Sequence, residues 1–599
     1  MNRPRFLSSA ALALAILAAL TALMVLRQVG NTALAYPDAD RLLLDGVFML
    51  DFIREMPVWP PRRIYDFTVN YYAQYPGLSI GYKPVFFPTV EALFNGVFGI
   101  SPASSRLALL FFAFVAVAAF FDLVRERFGV ATAFWASALF ITAPSIAKWG
   151  WYTMTELPTL AMVLLSGWLM QRYLRSGKHA YLYATAIAFG LACWTKQVAV
   201  FAVIWFLLAA VASGRLISML RQTQTYVAAG LALLLLVPLL VVTLWLGDLN
   251  IQQSLGRMPL LSSLVPAQEA LKPSPPTSPV GADVPAAEES TSPVGSPAIP
   301  RTAPPRWRLP FDELAHNGLP PWTLALAGVG LLLAVLMRER RVAYFLWLGL
   351  AVYLFFGLLL GVSRDREYIY WIPVFALFAV LPFTYLAAKL GDGRPQYVIS
   401  SVLALLVISH VALVYSREPV FSHGYDVAAG FVVSQTESPT VLVDAYNNGY
   451  FTYFVRQYDE ERNVFVLRAD KLLSSSGMYG GDRALNAQQH MESEDELAAL
   501  IDRFGVQFIV VESKSPLNLP IHDLLRTYLR SDERFRLAAT IPVRTNREPL
   551  QDQSLLVYEN MRVAEPEGGI LELPVPIVGK TIRVQFKQGA SGAALESKD

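Results

Sequence analysis

The chain has 599 residues, of which 54% are hydrophobic and only 16% are charged. Soluble proteins carry about 25% charged residues, so this deficit indicates a membrane protein. The net charge of +2 gives no electrostatic reason to expect a nucleic-acid partner. A single cysteine, Cys193, excludes a framework of disulfide bonds.

Apolar runs long enough to cross a bilayer recur along the first two thirds of the chain. We expect about eleven spans, at residues 8–27, 105–124, 131–147, 157–174, 180–195, 198–213, 226–246, 321–337, 342–362, 368–388 and 397–415. The first run follows a basic N-terminus and has no small-residue cleavage site close behind it, so it is interpreted as an uncleaved helix rather than a signal peptide. The polar sequence TKQ separates the fifth run from the sixth, which fits either a helical hairpin or one long span with a buried lysine.

The basic residues of the short loops predict the orientation of the chain. They follow the second, fourth, sixth, eighth and tenth expected spans, as Arg125 and Arg172 illustrate. The cytoplasm is expected on that side. Residues 28–104, 247–320 and 416–599 are then extracytoplasmic, in a multi-pass protein of a bacterial inner membrane.

The composition changes after the last expected span. TVLVD, NVFVL and VQFIVVE indicate strands, and SEDELAALIDRFG indicates a helix with a capping box from Ser493 to Glu496. This alternation predicts a soluble α/β domain over 416–587 and a disordered tail over 588–599. The Pro-, Ser- and Ala-rich part of 247–320 cannot bury a core and is predicted to be a flexible loop.

Charged residues accumulate directly after the first apolar run, in the sequence AYPDADRLLLDG. Asp38, Arg41 and Asp45 are spaced i, i+3, i+7 and would share one face of a helix over 38–56. This pattern predicts interfacial helices within 28–104, with polar groups turned inward. A solvated polar face with helix-start carboxylates explains the pattern equally well.

Other charged residues lie in loops on the same side of the membrane. Lys83 precedes a proline in an aromatic segment, where it could extend to lipid headgroups or bind a phosphate. Glu156 stands where the fourth span begins and could simply cap that helix. Arg364 and Arg366, in SRDREYIYWIP, could bind an anionic headgroup or pair with the neighbouring acidic residues.

Several kinds of active site find no support in the sequence. No nucleophile, histidine and acid are apparent as a set, because the six histidines are scattered. No Cys/His cluster has the spacing of zinc ligands. The absence of a Walker loop argues against ATP-driven transport.

Taken in order, the motifs resemble the membrane glycosyltransferases of the GT-C fold. The motifs are DADR, YKPVFFP, FGISPASSRLALLFFAF, TELP, GLACWTKQVAVF and SRDREYIYWIP. The closest group is the bacterial branch similar to protein O-mannosyltransferases and lipid A aminoarabinose transferases, in glycosyltransferase family 39. The resemblance implies a polytopic α-helical membrane protein with a GT-C catalytic domain over 1–415, followed by the soluble α/β domain.

The resemblance also implies an activity. Enzymes of this group move a sugar from a polyprenyl-phosphate donor to a lipid, glycan or protein acceptor outside the cytoplasm. A single displacement would invert the anomeric carbon. Membrane lipids are further expected partners. A transporter or flippase of lipid-linked sugars remains the alternative, because transporters also place charges near the membrane.

The family's site residues carry over to positions of this chain. DADR places the catalytic aspartate at Asp38 or Asp40, since Ala39 stands where the family often has a second acid. Glu156 matches the family's second acidic position. The resemblance links the donor phosphate to Lys83 and to either Arg364 or Arg366. It also gives a supporting role to four further residues, Arg41, Asp45, Tyr82 and Tyr152.

Elementary chemistry agrees with these roles. A carboxylate that acts as a general base improves a poor hydroxyl nucleophile. A fixed cation stabilises the charge that develops on the departing phosphate, as Lys83 would. No cofactor is required by this scheme, although an Asp-rich loop leaves Mg²⁺ or Mn²⁺ open.

Overall fold

The computed structural model describes most of the chain. The described residues are 9–34, 38–79, 83–246, 314–360, 365–390, 394–436, 438, 440–475, 478–480, 483–485, 488–515, 519–547, 550–566, 569–575, 580–586 and 595–597. The Pro-rich segment that is predicted to be flexible lies outside these residues, except for its last part from residue 314 onward.

The chain is mostly helical up to residue 416 and mixed beyond it. The α-helices are α1 Ala10–Leu26, α2 Ala39–Glu55, α3 Arg62–Gln74, α4 Phe86–Phe98, α5 Pro102–Phe128, α6 Val130–Ile141, α7 Pro144–Trp151, α8 Glu156–Ser176, α9 His179–Thr195, α10 Ala202–Ala212, α11 Leu216–Leu220, α12 Thr223–Leu246, α13 Pro321–Leu336, α14 Ala343–Val352, α15 Asp365–Tyr368, α16 Ile372–Leu390, α17 Arg394–Ser416, α18 Tyr425–Gln435, α19 Asn448–Tyr458, α20 Ala469–Leu472, α21 Glu494–Arg503 and α22 Pro520–Ser531. Short 3-10 helices cover Gln197–Phe201, Arg340–Val342 and Ile369–Trp371, and π-helical turns cover Leu314–Gly318 and Tyr353–Leu359.

Several helices are long and apolar enough to cross a membrane. Within the described ranges there are five by length and composition, or six if the bent pair α6 and α7 forms one span. The count of about eleven is therefore not confirmed. Other expected spans fall on shorter apolar helices, Ala10–Leu26, Gln197–Ala212 and Pro321–Leu336. Such a helix rises only about 25 Å, less than the hydrocarbon thickness of about 30 Å.

The expected helical hairpin is broken at its polar centre. Helix α9 ends at Thr195, and Lys196 takes an extended backbone conformation with φ −159°. A 3-10 turn over Gln197–Phe201 follows and leads into α10. The break turns Lys196 out of the helix and towards the start of α8, where it meets an acidic side chain.

The strands lie in the C-terminal part. They are β1 Ser422–His423, β2 Thr440–Asp444, β3 Phe465–Arg468, β4 Ser474–Ser475, β5 Met478–Gly480, β6 Arg483–Leu485, β7 Gln488–Gln489, β8 Val506–Glu512, β9 Phe535–Pro542, β10 Arg544–Thr545, β11 Ser554–Asn560, β12 Gly569–Val575, β13 Lys580–Phe586 and β14 Leu595–Ser597.

One five-stranded sheet organises this part, in the order β3-β2-β8-β11-β9. Strand β2 pairs in parallel with both β3 and β8, and β11 pairs antiparallel with β8 and β9. The predicted strands TVLVD, NVFVL and VQFIVVE fall on β2, β3 and β8, and the capping box of Ser493 and Glu496 is present at α21. Within the predicted disordered tail, Leu595–Ser597 pair with β13.

The first loop and the C-terminal part share one hydrophobic core. Side chains of α2 and α3 pack in the same buried cluster as the residues of the five-stranded sheet. Polar contacts tie the two parts as well: Arg456 binds Asp51 at 2.6 Å and donates a 3.1 Å hydrogen bond to the Tyr71 hydroxyl, which itself donates to Asp51 at 2.8 Å. These contacts fix the C-terminal part against α2, the helix that DADR begins. The domain boundaries remain predictions.

Candidate functional site

Asp38 lies at the start of α2, and two basic side chains from distant segments approach its carboxylate. Lys83 Nζ is 3.2 Å from Asp38 Oδ1, and Arg366 Nη1 is 3.9 Å from Oδ2. The Asp38 side chain is 40% exposed, which leaves it open to a ligand. Lys83 holds the pKa of this carboxyl well below its usual range, against the opposing effect of burial, and Arg41 lowers it further.

Asp40 has a different environment two residues further on. Its side chain is buried and accepts a hydrogen bond of 2.6 Å from the backbone N–H of Arg41. Burial raises the pKa of Asp40 to about 6, although Arg41 and Arg468 oppose the rise. Asp40 is therefore the more basic carboxyl of the two, and Asp38 is the more accessible one.

Asp45, one of the predicted supporting residues, contacts the Lys-Pro segment rather than Asp38. It accepts a 2.8 Å hydrogen bond from the Ser79 backbone N–H and a second bond from the Ser79 hydroxyl. Burial raises the pKa of Asp45 to about 7, and the two bonds from Ser79 oppose the rise. The interpretation of α2 as a solvated polar face is wrong at Asp40 and Asp45, because both carboxylates are buried.

Glu156 begins α8 and is buried. Lys196 Nζ lies 2.8 Å from its Oε1, at the break between α9 and α10. Sequence reasoning gave Lys196 no role at the site, although the polar TKQ between two apolar runs was a signal that a lysine there has a partner. Glu156 and Asp38 both act electrostatically on Arg366, so the two acidic positions share one guanidinium as a neighbour.

The other predicted residues divide into two groups. Tyr152 is buried after α7, and its hydroxyl accepts a hydrogen bond of 3.1 Å from the backbone N–H of Val420. It therefore holds the connection between α17 and β1. Tyr82 and Arg364 lie outside the described residues.

The C-terminal part contributes residues that the sequence patterns did not reveal. Arg468, at the end of β3, acts on Asp40 and donates a 2.6 Å hydrogen bond to the Pro76 carbonyl. Gly449 packs so closely against Asp40 that an added Cβ would overlap its carboxylate. The carboxyl ends of parallel strands face ligands in many α/β folds, and here β2, β3 and β8 all end in charged residues.

The structure also forms a serine, histidine and acid set that the sequence did not indicate. Ser474 Oγ is 3.0 Å from His522 Nε2, and His522 Nδ1 is 2.8 Å from Asp444 Oδ1. All three side chains are buried, and Arg526 binds the other oxygen of Asp444 at 2.6 Å. A substrate could not reach the hydroxyl, so this set is a structural network under α22.

A divalent cation does not fit the immediate surroundings of Asp38. Two basic side chains lie within 4.0 Å of its oxygens and would repel the ion. Throughout the described part of the chain, no three His, Cys, Asp or Glu residues are grouped to hold a metal ion.

The fold and this site define the class of protein. The structure is similar to that of ArnT from Cupriavidus metallidurans bound to undecaprenyl phosphate, with 12% identity, a TM-score of 0.54, and 91% of this chain and 97% of that chain covered. The apo state of the same protein gives 13% identity and a TM-score of 0.53, with 92% and 98% covered. The chain has the fold of the GT-C membrane glycosyltransferases and is a multi-pass membrane protein.

A family model supports the resemblance independently. Residues 82–242 match the family described as dolichyl-phosphate-mannose-protein mannosyltransferase. No curated protein sequence matches the chain. The predicted resemblance to glycosyltransferase family 39 is confirmed by the family model and by the fold together.

Proposed function

We propose that this protein is an inverting glycosyltransferase that moves a sugar from a polyprenyl-phosphate donor to an acceptor on the extracytoplasmic face of the membrane. The ArnT structure that it resembles contains undecaprenyl phosphate, which supports a donor of this chemical class. The observation that carries the proposal is the meeting of Lys83 and Arg366 at the exposed carboxylate of Asp38.

This arrangement supplies the two cations and the carboxylate that the reaction needs. Lysine and arginine bind a phosphate well, the arginine through a planar fork and the lysine as a point charge. Lys83 and Arg366 would hold the donor phosphate and stabilise the charge that grows on it as the bond to the sugar breaks. Asp38 stands beside that phosphate and would accept the proton of the attacking hydroxyl group.

Donor binding would also improve Asp38 as a base. Without a ligand, Lys83 holds the pKa of Asp38 well below its usual range, so the carboxylate is a weak base. A bound phosphate would share the positive charge of Lys83 and Arg366 and would raise the affinity of Asp38 for a proton. The base would then be strongest when the donor is in place.

Asp38 is preferred to Asp40 as the base because of access. Asp40 has the higher pKa, about 6, but its carboxylate is buried against Gly449. A general base must come within hydrogen-bond distance of the proton that it removes. Asp40 would instead fix the start of α2 and thereby the position of Asp38.

The test is a transfer assay with the purified protein in detergent. Radiolabelled polyprenyl-phosphate sugars are incubated with membrane lipid and glycan extracts, and labelled products are counted. Asp38→Asn should reduce the rate by about 10²- to 10⁴-fold, the usual contribution of a general base. Asp66→Asn, in α3 of the same loop, is the matched control and should retain full activity.

Two outcomes would contradict the proposal. Full activity of Asp38→Asn, with the same fold by thermal unfolding, would show that another group is the base. Movement of the labelled donor across a vesicle membrane, without transfer to any acceptor, would identify a transporter instead.

A further inference from the structure

We propose that residues 53–65, between α2 and α3, dock into the surface of the membrane and bind anionic lipid headgroups there. This segment, called the docking loop below, has the sequence IREMPVWPPRRIY. It comprises the end of α2, the connection that follows and the start of α3. The inference does not depend on the proposed function, because it concerns bilayer lipid and neither the donor nor the acceptor.

The docking loop exposes a contiguous apolar surface. Six of its thirteen residues have large hydrophobic side chains that are at least 38% exposed, and these are Ile53, Met56, Val58, Trp59, Ile64 and Tyr65. Trp59 is 77% exposed, the highest fraction for any large hydrophobic side chain in the described part of the chain. An exposed apolar patch of this kind marks a surface that another molecule covers.

The neighbouring helices place the docking loop beside a membrane span. Gly46 of α2 packs against Glu91 of α4, and further along both helices Leu50 packs against Gly96. The two helices therefore run in parallel, and the end of α2 lies beside the end of α4. From there the chain passes through a short connection into α5, which is long and apolar enough to cross the bilayer. The docking loop thus lies near the level at which this span enters the membrane.

Exposed apolar side chains on α4 and α5 indicate what covers this region. Leu93, Val97 and Phe98 are exposed near the end of α4, and Phe111 is exposed on α5. The Phe94 ring lies 6.1 Å from that of Phe98 and 6.5 Å from that of Phe111, measured between centroids. The apolar surface of the span therefore continues onto α4, at the end that neighbours the docking loop. A bilayer covers such a continuous surface, so lipid is the occupant that the structure favours.

The charges of the docking loop fit anionic headgroups. Its three arginines, Arg54, Arg62 and Arg63, are all exposed. Its one acidic residue, Glu55, forms an ion pair with Arg462 of the C-terminal part. Basic residues beside exposed tryptophan and tyrosine are typical of the headgroup level, where aromatic rings sit and cations meet lipid phosphates.

Nearby carboxylates leave this preference in place. Arg54 lies 4.0 Å from Asp51, and Arg62 lies 3.8 Å from Asp66, each on its own helix. Exposed ion pairs of this kind contribute little stability, so both guanidinium groups can turn to a headgroup at small cost.

The docking loop is remote from the candidate site. Helix α2 has 17 residues, so about 25 Å separates its two ends. A lipid at the docking loop is therefore not a reactant at Asp38. It would hold the end of α2 at the bilayer, while the contact between Gly449 and Asp40 holds the start of the same helix.

The first test measures whether the docking loop enters the bilayer. Val58→Cys is labelled with a fluorophore in a Cys193→Ala background, and the full-length protein is reconstituted into nanodiscs of phosphatidylcholine and phosphatidylglycerol. Spin-labelled lipid should quench this fluorophore, and aqueous iodide should quench it several-fold less than a fluorophore at Leu537→Cys, an exposed position on the edge strand β9. Trp59→Ser should bring the iodide quenching at residue 58 towards that at residue 537.

The second test measures the choice of headgroup. Quenching of the fluorophore at residue 58 by spin-labelled phosphatidylglycerol is compared with quenching by spin-labelled phosphatidylcholine. Phosphatidylglycerol should be enriched at the docking loop, and Arg63→Gln should reduce the enrichment by up to about fivefold, the effect of one basic residue near an anionic surface. The double variant Arg62→Gln with Arg63→Gln should reduce it further. Arg530→Gln, at an exposed position of α22, is the matched control and should leave the enrichment unchanged.

Three outcomes would overturn the proposal. Equal iodide quenching at residues 58 and 537 would show that the docking loop stays in water. Shielding of the fluorophore in native membranes but not in nanodiscs would show that a protein partner covers the loop. Equal quenching by the two lipids would refute recognition of anionic headgroups. The substituted side chains of the docking loop are exposed, so these variants should melt at the temperature of the labelled parent protein, and loss of the fold would not explain a change.

Discussion

The Asp40 carboxylate lies directly against Gly449, the second residue of α19. A Cβ atom on this glycine would overlap Asp40 Oδ2 and would stand 2.7 Å from Cγ. The helix that carries DADR and the C-terminal part therefore meet at this contact without space for even a methyl group. This contact sets how closely α19 approaches the start of α2.

Gly449→Ala should consequently destabilise the protein and reduce transfer. The added methyl group forces Asp40 or α19 to move, and overpacking of this kind costs about 1–3 kcal/mol. Thermal unfolding and the transfer assay measure the two effects. Gly430→Ala is the control, since its Cβ would meet Tyr458 at an ordinary 3.5 Å and alanine favours a helix. Equal behaviour of the two variants would argue against a tight contact at Asp40.

The stability of the protein should fall as the pH rises from about 4 to 7 through the ionisation of Asp45. Its pKa is about 7 in the folded state and about 3.9 in an unfolded chain. The folded state thus binds more protons in this window, and the free energy of unfolding decreases as the pH rises. Asp45→Asn cannot ionise and should remove about 4 kcal/mol of this decrease, of which about 3 kcal/mol falls above pH 5.

Melting temperatures recorded from pH 5 to pH 8 test this expectation. Asp66→Asn, in α3, serves as the control and should follow the wild-type curve. A wild-type curve that rises through this window, or an Asp45→Asn curve as steep as that of wild type, would contradict a protonated Asp45.

The buried pair of Asp51 and Arg456 should be essential for docking of the C-terminal part. Arg456→Ala leaves the buried Asp51 carboxylate without its close cation, although the Tyr71 hydroxyl still donates to it, and removal of one partner of a buried pair costs about 3–5 kcal/mol. The double variant Asp51→Leu with Arg456→Met should recover much of the loss. An exposed pair, Arg536 and Glu559, offers the comparison, and Arg536→Ala should cost less than about 1 kcal/mol.

Limited proteolysis would locate the effect of Arg456→Ala. Faster cleavage between the first loop and the sheet is expected, because α2 and α19 lose their polar connection. Cleavage at the wild-type rate, with an unchanged melting temperature, would show that the hydrophobic contacts suffice.

Lys196→Met should reduce activity through Glu156 rather than through direct contact with Asp38. The variant leaves the buried Glu156 without its ion pair and changes the charges that act on Arg366. Glu156→Gln in the same protein should restore part of the melting temperature, because it removes the uncompensated charge. If the double variant is less stable than Lys196→Met alone, the two side chains do not act as a pair.

The meeting of Asp38, Lys83 and Arg366 could be predicted from the sequence, because these residues stand in short motifs on one expected side of the membrane. Their roles stay predictions. Asp38, Lys83 and Arg366 lie far apart in the chain, yet their order and their common side indicated one site, and the structure brings them together. Several strands of the C-terminal part could also be predicted, because short apolar runs such as β2 and β8 are bounded by polar turns.

Contacts that depend on tertiary packing could not be predicted. The pair of Glu156 and Lys196 depends on the fold of α8 against α9, and the contact of Asp40 with Gly449 depends on the docking of the sheet. His522 joins side chains that lie 48 and 78 positions away. No local period or motif encodes such separations. Each expected span was also assumed to be long enough to cross the bilayer, whereas several of the helices are shorter than a bilayer is thick.

The shared core of the first loop and the sheet has a consequence for biogenesis. Asp51 precedes its partner Arg456 by 405 positions. At about 5–20 residues per second, the ribosome needs roughly 20–80 s to supply that partner. Until then, the side chains of α2 and α3 that pack against the sheet lack their partners. Completion of the candidate site, where Gly449 contacts Asp40, is thus one of the last events in the synthesis of the chain, and under the proposed function a nascent protein stays inactive until its own C-terminal part is made.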